Sequence, residues 1–195
     1  MSEAASFRSM LGIPASTASP KDAALVIIDA QGEYADGKLK VANIDATRKS
    51  ISTLLERYRR AGAAEHVIHV THSVPEGAPV FTPGTNLAEE FPELQPQSGE
   101  KTISKQHPGS FTGTDLEETL KLKGLRKVVL TGYMAHVCVS TTARQAAERG
   151  LEVILPRDAI GDRGIPGATA SEVVNMTLLE LADAFATVVD ADAVG

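Results

Sequence analysis

The sequence predicts an α/β fold in three layers, with a six-stranded parallel sheet between two layers of helices. Short apolar segments rich in β-branched residues alternate along the chain with segments whose apolar residues recur at helical spacing. Strands that alternate with helices form parallel sheets with helices on both faces. Six strands indicate the doubly wound, Rossmann-like order 3-2-1-4-5-6, in which strands 1 and 4 are neighbours.

The strands are predicted at six places in the chain. The clearest is residues 23–28, which are continuously apolar, as is typical of a parallel strand buried on both faces. The other five are residues 66–72, 102–105, 127–131, 151–155 and 187–189. Helices are predicted from Asn43, as N-cap, to near Gly62, from Thr114 or Asp115 to near Gly124, over residues 140–149, and over about residues 169–185.

Length and composition fit one domain, residues 1–195, with an irregular lead-in over residues 1–22. A net charge of −6 and an aromatic content of 4% argue against a nucleic-acid partner, which needs a basic face and stacking surfaces. No apolar run approaches the ~20 residues that span a bilayer, so no membrane partner is expected. The single cysteine, Cys138, cannot form an intrachain disulfide, and we therefore expect a reducing, cytoplasmic location.

Three chemically useful side chains stand where predicted strands end. Asp29 follows the first strand, Lys105 ends the third, and Cys138 follows the fourth. Because the carboxyl ends of parallel strands meet at one edge of the sheet, the fold predicts that these residues converge. A thiol near a helix start and an ammonium is expected to have a lowered pKa. A carboxylate can take up and return its proton, and backbone N–H groups can hold an oxyanion, which together describe an amidase-type site.

A structural interpretation competes with this one at each residue. A lone cysteine is more often a small buried hydrophobic residue than a nucleophile. The aspartate can be a turn cap and the lysine a surface lysine. The three together at strand ends favour catalysis, but spacing alone leaves both interpretations open.

The histidines do not form a predicted metal site. His66, His69 and His72 are three apart on a strand, so His69 points away from the other two, and only His72 is expected near the site. His136 is two residues from the thiol on a helix and cannot face it, so we expect it to line a pocket or cap the turn. The glycine-rich residues 161–167 lack a phosphate-binding pattern, and no nucleotide cofactor is expected.

Four segments carry motifs that occur together in one family. They are residues 25–31, Gly99-Glu100 leading to Lys105 with Gly109-Ser110-Phe111, residues 132–139, and Asp158-Ala159. With these motifs the chain, from about Ala23 to Val189, resembles the isochorismatase-like cysteine hydrolases. That family includes nicotinamidases, N-carbamoylsarcosine amidohydrolase-type enzymes and isochorismatases. The resemblance implies an Asp29–Lys105–Cys138 catalytic triad. It also implies a cis peptide bond between Tyr133 and Met134, and an oxyanion hole formed by the N–H groups of Met134 and Cys138.

The chain departs from the pattern of the family at three points. Ala135 stands where the family usually has threonine, and Gly32 where many relatives have asparagine. The Asp-x-His metal motif of the nicotinamidase branch is absent from this sequence, so metal-dependent nicotinamidase activity is not expected.

The resemblance implies a hydrolase that uses no metal and no cofactor and cleaves a C–N, amide-type bond of a small molecule through a thioester. One alternative is an isochorismatase, in which Asp29 protonates the vinyl ether of isochorismate without a covalent adduct. Another is a non-catalytic binding protein on the same fold. The candidate pocket residues are Gln31, Tyr34, His72, Phe111, Tyr133 and His136.

The long irregular segment of residues 73–100, which contains five prolines, is typical of a loop that covers a site. Relatives form dimers or tetramers, so a homodimer or homotetramer is expected. In such an assembly a neighbouring subunit would cover this loop, including the loop's own Phe81 and Phe91.

Overall fold

The computed structural model describes residues 4–195 and contains the predicted sheet. All strand pairs are parallel, and the order is β3-β2-β1-β4-β5-β6, which confirms the doubly wound prediction. The strands are β1 (Ala23–Ile28), β2 (Val67–His72), β3 (Lys101–Lys105), β4 (Lys127–Gly132), β5 (Glu152–Pro156) and β6 (Thr187–Val189). Each predicted strand lies within one residue of its observed bounds.

The helices are α1 (Phe7–Met10), α2 (Glu33–Asp36), α3 (Ile44–Arg60), α4 (Leu116–Leu122), α5 (Ser140–Glu148) and α6 (Ala170–Ala184). The four longer helices agree with the prediction, whereas α1 and α2 are too short to give a periodic pattern. No helix within the described part of the chain is long and apolar enough to cross a membrane.

Two apolar cores, one on each face of the sheet, hold the three layers together. Side chains alternate along β1, so Leu25 and Ile27 enter the core that contains Leu54 of α3. Val26 enters the other core, together with Leu120 of α4. Because every residue of β1 is buried, the strand is apolar without alternation.

The ends of two helices differ in how they are capped. Thr169 and Glu172 form a capping box at the start of α6, which satisfies backbone N–H groups of the first turn. Asn43 precedes α3 as predicted, but its side chain caps nothing because the residue is in the left-handed region, at φ 55°. Asn43 is thus the N-cap residue as predicted, without the side-chain hydrogen bond that usually accompanies this position.

The lead-in is bound through its backbone, not through its apolar side chains. Phe7 donates its N–H to Asp183 of α6, and Ser16 donates its N–H to Thr187 of β6. The side chains of Phe7 and Met10 are exposed and do not enter either apolar core. Residues 1–3 of the predicted lead-in lie outside the described part of the chain.

Candidate active site

The register of the sheet brings the predicted residues to one edge. Ile28 of β1 lies beside Gly132 of β4, and His72 of β2 lies beside Lys105 of β3. Asp29 is the residue after β1, so it leaves the sheet at the same edge as Lys105. The convergence predicted from strand ends is present.

The segment after β4 turns sharply because of a glycine. Gly132 has φ 107°, and a Cβ there would lie 2.0 Å from the carbonyl oxygen of Ile28, so any side chain would collide with β1. The peptide bond between Tyr133 and Met134, one residue further along, is cis. One wide helical turn, Ala135–Val139, then runs directly into α5 and carries Cys138.

Asp29, Lys105 and Cys138 form one buried cluster. The Lys105 Nζ donates to Asp29 Oδ2 at 2.7 Å and lies 3.5 Å from Cys138 Sγ. The exposed fractions of the three residues are 0%, 1% and 5%. Asp29 Oδ1 is also buried and has no hydrogen-bond partner among residues 4–195. The Cys138 thiol lies close enough to Asp29 to favour its ionised form, which opposes the effect of burial on its pKa. The cluster therefore contains an ammonium, a thiol and a carboxyl oxygen without a fixed hydrogen bond, which can bond to a substrate.

Burial controls the protonation of this cluster. It raises the pKa of Asp29, although the charge of Lys105 opposes the shift. Burial, followed by the charge of Asp29, raises the pKa of Cys138 to about 12, against the influence of Lys105. The expected lowering of the thiol pKa is thus wrong, because desolvation of the thiolate outweighs the nearby ammonium. In the resting site the thiol is neutral.

Cys138 should therefore react slowly with iodoacetamide. At pH 7.5 we expect alkylation at least ~100-fold slower than that of N-acetylcysteine, because the thiolate is the nucleophile and little of it forms. The rate should still rise above pH 9, where a free thiol levels off. The measurement is mass spectrometry of the alkylated protein over time. A plateau near pH 8.5 would show that the thiol pKa is normal.

The backbone around Cys138 leaves one N–H directed at no protein acceptor. The carbonyl of Met134 accepts from the N–H groups of Val137 and Val139, on either side of Cys138. The N–H of Met134 itself has no acceptor among the described residues. This free donor belongs to one of the two residues predicted to hold an oxyanion.

Gln31, a predicted pocket residue, holds the backbone in place. Its Nε2 donates to the carbonyls of His72 and Ala88, at 3.0 and 2.7 Å, and its Oε1 accepts from the N–H of His72 at 2.8 Å. Both amide hydrogens are thus used within the protein. Gln31 ties the end of β2 to the loop of residues 73–100.

The predicted aromatic residues divide into two groups. Tyr34 lies near enough to the cluster to feel its charges. Burial first, and then the charges of Asp29 and Cys138, raise the pKa of its phenol. Its hydroxyl has no hydrogen-bond partner within residues 4–195. Tyr133 instead packs in the core and bonds through its hydroxyl to Thr47 of α3, at 2.8 Å.

Phe111 lies on the opposite face of the sheet from Tyr34 and Tyr133, in the core that also contains Cys138. Its ring packs in the core with α4 and α5, under the guanidinium of Arg149, which is 4.7 Å from the ring centroid. Of the predicted pocket aromatics, Tyr34 is therefore the one with a free polar group near the cluster.

The loop of residues 73–100 covers the site through Phe81, which sequence reasoning did not assign to it. Phe81 is buried at φ 49°, and its ring lies 5.2 Å from that of His72 and 5.3 Å from that of Tyr34. Its N–H donates to the buried carboxylate of Glu33, which also accepts from the N–H of Lys38. This carboxylate holds two loops together.

The same loop corrects the expectation that a neighbouring subunit covers Phe81 and Phe91, and it explains why the chain has glycine at position 32. Phe81 and Phe91 are 4% and 3% exposed within one chain, so no neighbouring subunit is needed to cover them. Gly32 lies against the loop, where a Cβ would be 2.2 Å from the carbonyl oxygen of Asn86. Asparagine, which many relatives have here, does not fit this loop conformation.

His136 is held by Asp162, another residue that sequence reasoning missed. The carboxylate Oδ2 of Asp162 accepts from the backbone N–H of His136 at 2.9 Å and lies 2.6 Å from its Nδ1. Asp162 is buried and also accepts from the N–H of Arg163. His136 is therefore fixed at the start of the turn, with its ring partly exposed. The only sequence signal was an aspartate within a glycine-rich loop.

The other histidine of β2 belongs to a buried ion-pair network. His69 lies between the carboxylates of Glu90 and Glu100, at 3.1 and 3.0 Å, and Arg59 pairs with Glu100. This network fixes the second half of the covering loop, at Glu90 and Glu100. Within residues 4–195, no group of three or more His, Cys, Asp or Glu side chains is arranged to hold a metal ion.

The doubly wound sheet and its buried Asp–Lys–Cys cluster define a class, the α/β hydrolytic enzymes with a cysteine at the strand edge. The isochorismatase domain model matches residues 23–193. The chain belongs to the isochorismatase family. Its members are hydrolases, and they include amidases that act on non-peptide C–N bonds.

Three relatives illustrate the range of the family. The secreted isochorismatase effector Isc1 of Verticillium dahliae is 60% identical over 184 residues, which cover 94% of this chain and 96% of that protein. Nicotinamidase 3 of Arabidopsis thaliana is 29% identical over 184 residues, covering 88% of this chain and 86% of that protein. The crystal structure of an isochorismatase from Pseudomonas putida KT2440 superposes with a TM-score of 0.92 and 31% identity, covering 98% of this chain and all of that one.

Proposed function

We propose that this protein is an isochorismatase, which hydrolyses the vinyl ether of isochorismate with Asp29 as the acid. The observation that carries the proposal is the free, buried Oδ1 of Asp29, on a carboxyl group whose pKa is raised by burial. A carboxyl that keeps its proton in an apolar site is suited to general acid catalysis. The relative at 60% identity, named an isochorismatase, supports the same substrate.

The proposed reaction needs one acid and one water molecule. Asp29 donates its proton to the terminal methylene carbon of the enolpyruvyl group, and the electrons of the C=C bond form the new C–H bond. Water adds to the resulting oxocarbenium ion and returns a proton to Asp29. The hemiketal then collapses to pyruvate and the ring alcohol. No covalent bond to the enzyme forms.

Lys105 stabilises the carboxylate that Asp29 becomes during this reaction. Its ammonium is 2.7 Å from Oδ2, the oxygen opposite the free one. When the proton leaves Oδ1, the negative charge that develops faces a fixed positive charge in a dry site, where the attraction is strong. The Tyr34 hydroxyl is a candidate donor to the substrate.

A second candidate is hydrolysis of a C–N bond through a thioester on Cys138. It is favoured by the free N–H of Met134, which would hold an oxyanion together with the N–H of Cys138. In this route Asp29 accepts the thiol proton as the thiolate attacks, protonates the leaving amine, and then activates water. The amidase relatives support this chemistry for the family.

Cys138→Ala separates the two routes. We expect the variant to hydrolyse isochorismate with kcat/KM within about 10-fold of wild type, because the acid route forms no bond to sulfur. The measurement is pyruvate release, coupled to lactate dehydrogenase. Loss of more than about 1,000-fold would remove the acid route in favour of the thioester. A panel of small amides and ureides, assayed with both proteins, provides the converse test.

Location and assembly stay predictions. One cysteine fits a cytoplasmic protein, whereas the Verticillium relative is named as secreted, and cell fractionation distinguishes the two.

We expect a homodimer or homotetramer, since Met10 of α1 and Leu179 of α6 lie exposed on helices that pack together. Light scattering that finds only the mass of one chain would contradict this.

A further inference from the structure

Three acceptors surround the ammonium of Lys105, and one of them lies outside the proposed triad. Nζ is 2.7 Å from Asp29 Oδ2, 3.5 Å from Cys138 Sγ and 3.3 Å from His72 Nδ1. A lysine ammonium has three N–H donors and no acceptor. These contacts therefore use every donor of the side chain, and His72 supplies the third.

The contact with Lys105 also fixes the proton on His72. Because the ammonium only donates, Nδ1 of His72 must accept, and the proton of the neutral ring is on Nε2. Burial, followed by the charges of Lys105 and His107, lowers the pKa of His72 to about 4. The ring is therefore a neutral acceptor throughout the neutral pH range.

The position of this acceptor is itself fixed from several sides. Gln31 bonds to both the N–H and the carbonyl of His72, as described above. The strand register places His72 beside Lys105, and the ring of Phe81 packs 5.2 Å away on the loop. A neutral acceptor held this firmly directs a flexible lysine without adding charge to the site.

We propose that His72 is a positioning residue that aims the Lys105 ammonium at Asp29 and Cys138. Without this acceptor one N–H of a buried ammonium lacks a partner, and the four-carbon chain of lysine can rotate to find another. The kinetic consequence rests on the proposed hydrolysis of isochorismate, whereas the contact itself does not.

Two matched variants test the kinetic consequence. His72→Asn keeps an oxygen acceptor near the place of Nδ1, while His72→Leu keeps apolar bulk without an acceptor. We expect His72→Leu to lower kcat about 100-fold with KM within about 3-fold, and His72→Asn to stay within about 5-fold of wild-type kcat. A role limited to supporting Phe81 would affect both variants alike, because both lack the ring. Equal kcat values for the two variants, or a change in KM alone, would overturn the proposal.

The tautomer of His72 is tested without any substrate. In long-range ¹H–¹⁵N spectra of labelled wild-type protein, the signals missing from His72→Asn identify the ring. We expect the Nε2–H tautomer from pH 8 to pH 5, with no titration in that range. A proton on Nδ1, or titration near pH 6.5, would contradict the contact with Lys105. A wild-type protein that shows this tautomer but leaves isochorismate intact would remove the proposed function and leave the contact standing.

Discussion

Asp29→Asn should abolish most of the activity while preserving the fold. The amide matches the carboxyl in shape and can still accept from Lys105, but it cannot donate a proton to carbon. We expect kcat for isochorismate to fall about 1,000-fold, in line with the loss of a general acid. Pyruvate release measures kcat, and circular dichroism with thermal unfolding verifies the fold.

The direction in which kcat/KM of the wild-type enzyme changes with pH distinguishes the acid route from the thioester route. The raised pKa of Asp29 means that the carboxyl keeps its proton above the usual range. In the acid route kcat/KM therefore declines as the pH rises through that pKa, and in the thioester route, where Asp29 must be ionised to accept a proton, it increases. A profile between pH 4 and 9 that rises through this ionisation, or an Asp29→Asn variant with near-normal kcat, would exclude Asp29 as the acid.

Lys105→Met should destabilise the protein strongly at any pH at which Asp29 is ionised. The lysine is buried against a buried carboxylate, and removing one partner of such a pair leaves the other charge without compensation. We expect the free energy of unfolding to fall by about 3–5 kcal/mol at a pH above the raised pKa of Asp29. Urea unfolding followed by circular dichroism measures this loss. Because a protonated Asp29 carries no charge, the loss should shrink as the pH falls through that raised pKa.

The same strand provides a matched control for Lys105→Met. Lys101, at the other end of β3, pairs with Asp115 on the surface, where both side chains are well exposed. Lys101→Met should cost less than about 1 kcal/mol. The double variant Asp29→Asn/Lys105→Met removes both charges and should recover much of the stability lost in Lys105→Met. Equal losses for Lys101→Met and Lys105→Met would show that the buried pair contributes nothing special.

The fold and the convergence of the three triad residues were predictable from the sequence because both depend on local patterns. An unbroken apolar strand such as β1 shows its burial directly, and a residue that follows a parallel strand has a known place at the sheet edge. That rule was enough to predict that Asp29 and Lys105 lie at the same edge of the sheet. The strand bounds were accurate for the same reason.

The electrostatics of the site were not predictable in this way. The thiol of Cys138 was expected to ionise easily from its position near a helix and a lysine. Its real environment is set by burial in a core whose side chains, among them Phe111 and Leu116, come together only in the folded chain. Asp162 and Glu33 were missed because each acts through backbone N–H groups that are distant in sequence and approach it only after folding.

The cover formed by Phe81 has a consequence for how fast the protein can work. Because Asp29, Lys105 and Cys138 are at most 5% exposed, we expect the loop anchored by Glu33 to move before a substrate reaches them. Capture is then a two-step process, in which the observed binding rate levels off at the opening rate of the loop as the substrate concentration rises. On this expectation, the strength of the Glu33 anchor, a carboxylate that takes no part in the proposed chemistry, sets an upper limit on turnover.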